Sequence, residues 1–76
     1  MDHKYTYFPN DEHLKYRVII NVREDFLKRG KNTYIYEDVL AVSYNDAALI
    51  LWWETGTIYI RMKWLYSFEI NTIKEE

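Results

Sequence analysis

The chain has 76 residues, no cysteine and a formal net charge of −2, and 49% of its residues are hydrophobic and 18% aromatic. The length predicts one small domain spanning residues 1–76, and the hydrophobic content excludes a disordered chain. The lack of cysteine excludes disulfides, a thiolate nucleophile and a cysteine-ligated zinc site.

The first quarter of the chain predicts two strands. Residues 3–8 fit a short strand that Pro9 and the polar residues after it would close. Leu14–Val22 alternates with the period of two that is typical of a strand. One side of this strand is apolar (Leu14, Tyr16, Val18, Ile20, Val22), and the other carries Lys15, Arg17, Ile19 and Asn21.

Residues 24–30 interrupt the alternation and have two readings. Glu24 and Asp25 open the segment, Lys28 and Arg29 close it, and Gly30 is placed to cap a helical turn. One turn of helix is not stable by itself, so an ordered hairpin loop is the alternative. The sequence leaves both open.

The rest of the chain predicts a meander of strands. We expect strands over residues 33–44, 47–53, 57–63 and 66–73, with an irregularity at Glu37 and Asp38. Turns are expected at Asn45-Asp46, at residues 54–57, where Gly56 takes a positive φ, and near residues 64–65. The fold class is therefore all-β, or α+β if the turn at 24–30 is helical. The architecture expected is a small antiparallel meander sheet or an SH3-, Sm- or OB-like barrel of about five strands.

The two turns also predict which side chains share a face. A two-residue turn at Asn45-Asp46 pairs Val42 with Leu49, and a four-residue loop at 54–57 pairs Leu51 with Ile60. Both registers assemble the same apolar face, made of Leu40, Val42, Leu49, Leu51, Trp53, Ile58, Ile60 and Met62.

The opposite face is less polar than a solvated face should be. Ile50, Trp52 and Tyr59 lie at its centre, and Glu54, Arg61 and Lys63 lie toward its rim. Its other expected members are Val39, Ala41, Ser43 and Ala48. Either this face binds a partner, or the N-terminal strand or residues 24–31 cover it.

Charge is unevenly distributed along the chain. Residues 14–31 contain six basic residues against two acidic ones, whereas residues 32–60 contain four acidic residues and no basic one. This pattern is either a chance split or a basic patch beside an acidic patch, which would favour a charged partner or self-association.

No combination of residues predicts catalysis. His3, Asp11 and His13 are a conceivable metal set, but their spacing matches no closed zinc site, and a solvated turn is the expected reading. Gly30 and Gly56 are isolated, so there is no glycine-rich phosphate loop. We expect no enzyme activity, no cofactor and no metal.

These observations predict a cytoplasmic protein-interaction module whose binding residues include Ile50, Trp52, Tyr59, Arg61 and Lys63. The partner is a foreign protein or a second copy in a homodimer, and no membrane is involved. A short, cysteine-free, acidic and tyrosine-rich chain is typical of phage and mobile-element accessory proteins, which often inhibit host proteins.

Two alternatives remain open. The first is a small barrel that binds single-stranded nucleic acid, with Trp52 and Tyr59 as stacking platforms and Arg61 and Lys63 as the basic rim. Lys15 and Arg17 on a neighbouring strand could complete the groove, and the net negative charge weighs against this alternative. The second is a small-ligand site, such as a nucleotide site, at an oligomer interface.

Overall fold

The computed structural model describes residues 5–24 and 32–74. Within this part the chain is all-β, as predicted, with one 3-10 turn at Met62–Trp64. The predicted turn at 24–30 lies outside the described residues, apart from Glu24. The strands are β1 (Thr6–Phe8), β2 (Leu14–Val22), β3 (Thr33–Val39), β4 (Ala41–Tyr44), β5 (Ala48–Trp53), β6 (Gly56–Arg61) and β7 (Leu65–Lys74).

The strands form two antiparallel sheets. One sheet has four strands in the order β1-β4-β5-β6, and the other has three in the order β3-β2-β7. The described residues thus contain seven strands, whereas the sequence indicated six strand segments and a sheet or barrel of about five strands. The expected strand at 33–44 divides into β3 and β4, and its halves belong to different sheets.

A single hydrophobic core lies between the two sheets. Alternation along each strand turns one set of side chains inward, and both sheets contribute to the cluster. Its buried members are Tyr16, Val18, Ile20, Val39, Val42, Leu49, Leu51, Ile60 and Leu65. The apolar face predicted from the turns is therefore confirmed at its centre. At its margins, Leu40 is half-buried outside the cluster and Ile58 is 36% exposed.

The predicted irregularity at Glu37 and Asp38 is a β-bulge. Tyr16 pairs with Val39 and Val18 pairs with Tyr36, so two residues of β3 lie opposite Arg17 alone. Asp38 has a positive φ of 55°. The extra residue reverses the alternation, which is why Val39 is fully buried in the core. Its expected place on the outer face was wrong.

Both hairpin registers differ from the predicted ones by two residues. Val42 pairs with Leu51 rather than Leu49, and Leu51 pairs with Ile58 rather than Ile60. Side chains alternate with a period of two, so a shift of two keeps the residues of β4, β5 and β6 on their predicted faces. Met62 and Lys63 lie in the 3-10 turn instead of the strand predicted for them. The faces were right although the pairings were wrong.

Candidate interaction face

The outer face of the four-stranded sheet carries a row of side chains that crosses all four strands. Tyr7 pairs with Ser43, Ser43 pairs with Ile50, and Ile50 pairs with Tyr59. Trp52 lies two residues after Ile50 on β5 and therefore points to the same side. We call Tyr7, Ile50, Trp52 and Tyr59 the aromatic face.

Two of the four side chains of the aromatic face are exposed to solvent. Tyr7 is 58% exposed and Tyr59 is 59% exposed, while Ile50 and Trp52 are half-buried between them. The rings of Tyr7 and Trp52 meet edge to face, with centroids 6.2 Å apart and an interplanar angle of 84°. This contact favours the observed orientation of the indole.

The N-terminal strand widens this face instead of covering it. Because β1 pairs with the edge of β4, it lies in the same sheet and adds Tyr7 to the row. Sequence reasoning expected this strand only as a cover, and so it missed Tyr7 as a candidate binding residue. The two-residue spacing of Tyr5 and Tyr7 is the signal that could have identified it.

Small residues fill the spaces between the large side chains. Ala41 pairs with Trp52, Ser43 with both Tyr7 and Ile50, and Ala48 with Arg61. Ala41, Ser43 and Ala48 are all buried, although they lie on the outer side of the sheet. Tyr7, Ile50 and Trp52 each pair with a small residue, whereas Tyr59 pairs with Ile50.

Basic residues mark one end of the aromatic face. Arg61 lies on β6 opposite Ala48, on the same side as Tyr59, and Lys63 is exposed in the 3-10 turn that follows. Within residues 5–24 and 32–74, no ion pair involves Arg61. Glu54 lies in the β5–β6 turn at the other end, so the rim is basic at one end and acidic at the other.

Lys15 and Arg17 do not join this face. The expectation that they lie on a neighbouring strand was wrong, because β2 pairs with β3 and β7 in the other sheet. Arg17 Nε lies 2.8 Å from Glu37 Oε1. Lys15 is half-buried and lines a cleft with acidic residues, among them Asp11, Glu12 and Glu54.

The ion pair between Arg17 and Glu37 also bears on the uneven charge of the sequence. It joins the basic segment to the acidic one across the β2–β3 pairing. At this point the two segments neutralise one another, and neither of these two residues contributes an uncompensated charge to a patch.

Asp11 and His13 form hydrogen bonds within the turn before β2. The Asp11 side chain accepts a hydrogen bond from the His13 backbone N–H at 2.8 Å, and the Asp11 carbonyl accepts one from Leu14 at 3.0 Å. His13 Nε2 also lies 3.2 Å from an exposed Glu12 oxygen. These contacts form an ordered, exposed turn. His3, the third member of the conceivable metal set, lies outside the described residues.

An apolar groove of about 580 Å³ opens between the edges of β3 and β6. Tyr34 and Tyr36 line it from the three-stranded sheet, and Ile58 and Ile60 line it from the four-stranded sheet. Sequence reasoning did not identify this groove, since it depends on how the two sheets are placed against each other. The partial exposure of Ile58 follows from its position above the groove.

Among residues 5–24 and 32–74, no three His, Asp or Glu side chains come together in a way that could hold a metal ion. The described part of the chain also has no helix with the length and apolar character needed to cross a membrane. Comparison with protein-family models, with curated proteins and with solved structures finds no match for this chain.

Proposed function

We propose that this chain is a non-enzymatic protein-interaction module that acts in the cytoplasm and binds its partner through the aromatic face. The observation that carries this proposal is the row formed by Tyr7, Ile50 and Tyr59, with Trp52 beside it, across the outer side of one sheet. A solvated sheet face has no need of four large apolar side chains. An exposed apolar patch with a charged rim is the usual layout of a binding surface.

The side chains of this face suit recognition of a protein. Tyrosine, tryptophan and arginine are over-represented among the residues that dominate binding energy, and Tyr59, Trp52 and Arg61 supply all three types. The edge-to-face contact with Tyr7 favours one orientation of the Trp52 ring before binding. Less side-chain entropy is then lost when a partner docks.

The charges at the rim indicate which chemical groups the partner's surface should carry. Arg61 and Lys63 lie at one end of the aromatic face, and we propose a partner with an apolar centre and a carboxylate beside it. A bidentate pair with Arg61 would orient that partner along the sheet. The composition, typical of phage accessory proteins, favours a host protein whose activity is blocked by this docking.

The geometry favours single-stranded nucleic acid less than a protein as the binding partner. A strand-tracking groove needs several cations along the stacking platform, because phosphate contacts supply most of the affinity. Arg61 and Lys63 lie at one end of the aromatic face, whereas Lys15 and Arg17 lie on the other sheet. A protein partner therefore fits the distribution of charge better.

The test is a binding titration against the partner captured from host extract. Trp52→Ala and Tyr59→Ala should each weaken its affinity by roughly tenfold or more, as expected for truncation of a dominant interface residue. Tyr66→Ala is the matched control, since Tyr66 is 84% exposed but belongs to the other sheet. If Trp52→Ala and Tyr59→Ala bind as tightly as the control variant, the aromatic face is not the binding surface.

A further inference from the structure

Strand β6 is an open edge of the four-stranded sheet. It pairs with β5 on one side and with no other strand of the described chain. Exposed edges are usually blunted by proline, a bulge, shortness or repeated charge. The register between β5 and β6 is regular, and β6 contains no proline and one charged residue, Arg61.

The other three edges carry such features. Strand β1 has three residues and is followed by Pro9. Strand β3 is interrupted by the bulge at Asp38, and β7 carries Glu69 and Lys74. Among the edges of the described sheets, β6 is thus the one best suited to accept another strand.

The hydrogen bonds to β5 show which backbone groups of β6 do not bond to that strand. The Met62 N–H donates to the Ala47 carbonyl at 2.9 Å, which makes these two residues a hydrogen-bonded pair. Such pairs alternate along antiparallel strands, so Ile58 and Ile60 also bond to β5. The backbone N–H and C=O groups of Thr57, Tyr59 and Arg61 therefore point away from β5, toward the open edge.

The outward-facing groups of these three residues can pair with the same three residues of a second, antiparallel β6 strand. If two β6 strands meet about a two-fold axis at Tyr59, each Tyr59 bonds to the other, and Thr57 of each chain meets Arg61 of the second copy. No like charges face each other in this register. On the core side, Ile58 of one chain lies opposite Ile60 of the other, beside the apolar groove.

We propose that the open edge of β6 binds β6 of a second copy, forming a two-fold dimer with a continuous eight-stranded sheet. A self-complementary strand is what an isologous interface requires. The two aromatic faces become one surface in this dimer, with Tyr59 of each chain at its centre. The dimer does not rest on a foreign protein binding to that surface, so either proposal can fail without the other.

The test uses charge at Thr57, which is exposed and lies opposite Arg61 of the second copy. Thr57→Lys places like charges together twice in the dimer, once on each side of the axis, and should weaken dimerisation by about fivefold. Thr57→Glu places opposite charges there and should strengthen it by a similar factor. The double variant Thr57→Lys with Arg61→Glu again places opposite charges together twice, so it should lower the dissociation constant by about fivefold relative to the unmodified chain, as Thr57→Glu does.

Sedimentation equilibrium of the full chain over a wide concentration range gives the dissociation constant for each variant, and circular dichroism confirms that each one is folded. The proposal predicts twice the monomer mass at high concentration and opposite effects of the two Thr57 variants. A monomer at every concentration would overturn it. So would a dimer in which Thr57→Lys and Thr57→Glu change the dissociation constant in the same direction.

Discussion

Tyr16 shows how one side chain connects the core to the chain that enters β2. Its ring is buried in the core cluster and meets Phe8 edge to face at 5.7 Å. Its hydroxyl donates a hydrogen bond to the Pro9 carbonyl at 2.9 Å. The connection that leads from β1 to β2 is thereby tied to the core through one polar group.

Removing that hydroxyl should destabilise the fold modestly. We expect Tyr16→Phe to lower the free energy of unfolding by about 1 kcal/mol, the usual net value of one hydrogen bond. The ring and its packing remain, so the loss should be confined to that bond. Urea denaturation measures it, with Tyr66→Phe as the control at an exposed site. Equal stability of Tyr16→Phe and the control would show that the bond contributes nothing.

The same residue predicts how stability depends on alkaline pH. Burial, and then the nearby negative charge of Asp11, raise the pKa of Tyr16 above its ordinary value of 10.0. Burial also raises the pKa of Tyr36. As the pH rises, both tyrosines lose their hydroxyl protons in the unfolded chain before they do so in the folded chain. The stability that the two protonated tyrosines give to the fold is therefore complete below pH 10, and it is lost as the pH rises through their raised pKa values.

We expect the free energy of unfolding to fall above pH 10 in the unmodified chain. The fall should be shallower in the double variant Tyr16→Phe, Tyr36→Phe, which has neither proton to lose. Denaturation at several pH values between neutral and strongly alkaline conditions measures both slopes, and Tyr66→Phe should keep the original slope. Identical slopes in the double variant and the unmodified chain would contradict the assignment.

At the scale of elements, the bulge in β3 is the feature that turns the chain from one sheet to the other. Its Glu37 carbonyl accepts a hydrogen bond from the Trp53 indole N–H at 2.9 Å, and Trp53 also contacts the ring of Tyr36. The bulge is thus attached to β5 of the other sheet. The chain passes into β4 at Leu40, whose N–H donates to the Trp52 carbonyl at 2.8 Å.

The left-handed backbone of Asp38 limits what this position tolerates. Aspartate and asparagine adopt a φ near 55° more readily than other non-glycine residues, and β-branched residues do so least. Asp38→Val should therefore lower the free energy of unfolding by about 1–2 kcal/mol, whereas Asp38→Asn should leave it nearly unchanged. Chemical denaturation of both variants tests this, and equal stability of the two would show that the backbone here is not constrained.

The bulge and the turns also show how far sequence could predict the fold. Alternation identified Leu14–Val22 to the residue, and the acidic pair Glu37-Asp38 revealed the irregularity. The hairpin pairings were missed by two residues, because polarity distinguishes the faces of a strand and a shift of two preserves them. One continuous strand was predicted over residues 33–44, because residues with strand propensity continue through Leu40. In the structure the hydrogen-bond partners change at this point, and the segment forms two strands.

The candidate site was predictable only in part. Ile50, Trp52, Tyr59 and Arg61 were placed together from the β5–β6 hairpin, whose strands are adjacent in sequence. Lys15 and Arg17 were misplaced because strand order between distant segments is not encoded in periodicity. The groove between β3 and β6 could not be predicted from the sequence for the same reason.

On the scale of the whole molecule, the two sheets depend on one core. Leu51 and Leu49 come from the four-stranded sheet, Val18 and Ile20 from the three-stranded sheet, and all four belong to the same buried cluster. Neither sheet can bury its apolar face without the other. The two sheets should therefore unfold together in one transition, as small single domains usually do.

Core truncation in either sheet tests this dependence. Leu51→Ala in the four-stranded sheet and Ile20→Ala in the three-stranded sheet should each lower the free energy of unfolding by about 2–5 kcal/mol, since both side chains are buried. Ile35→Ala, at an exposed position on β3, should change it by less than about 0.5 kcal/mol. In every variant, tryptophan fluorescence and far-ultraviolet circular dichroism should report the same midpoint in urea. If one truncation shifts the fluorescence midpoint but not the circular dichroism midpoint, the sheets unfold separately and the core is not shared.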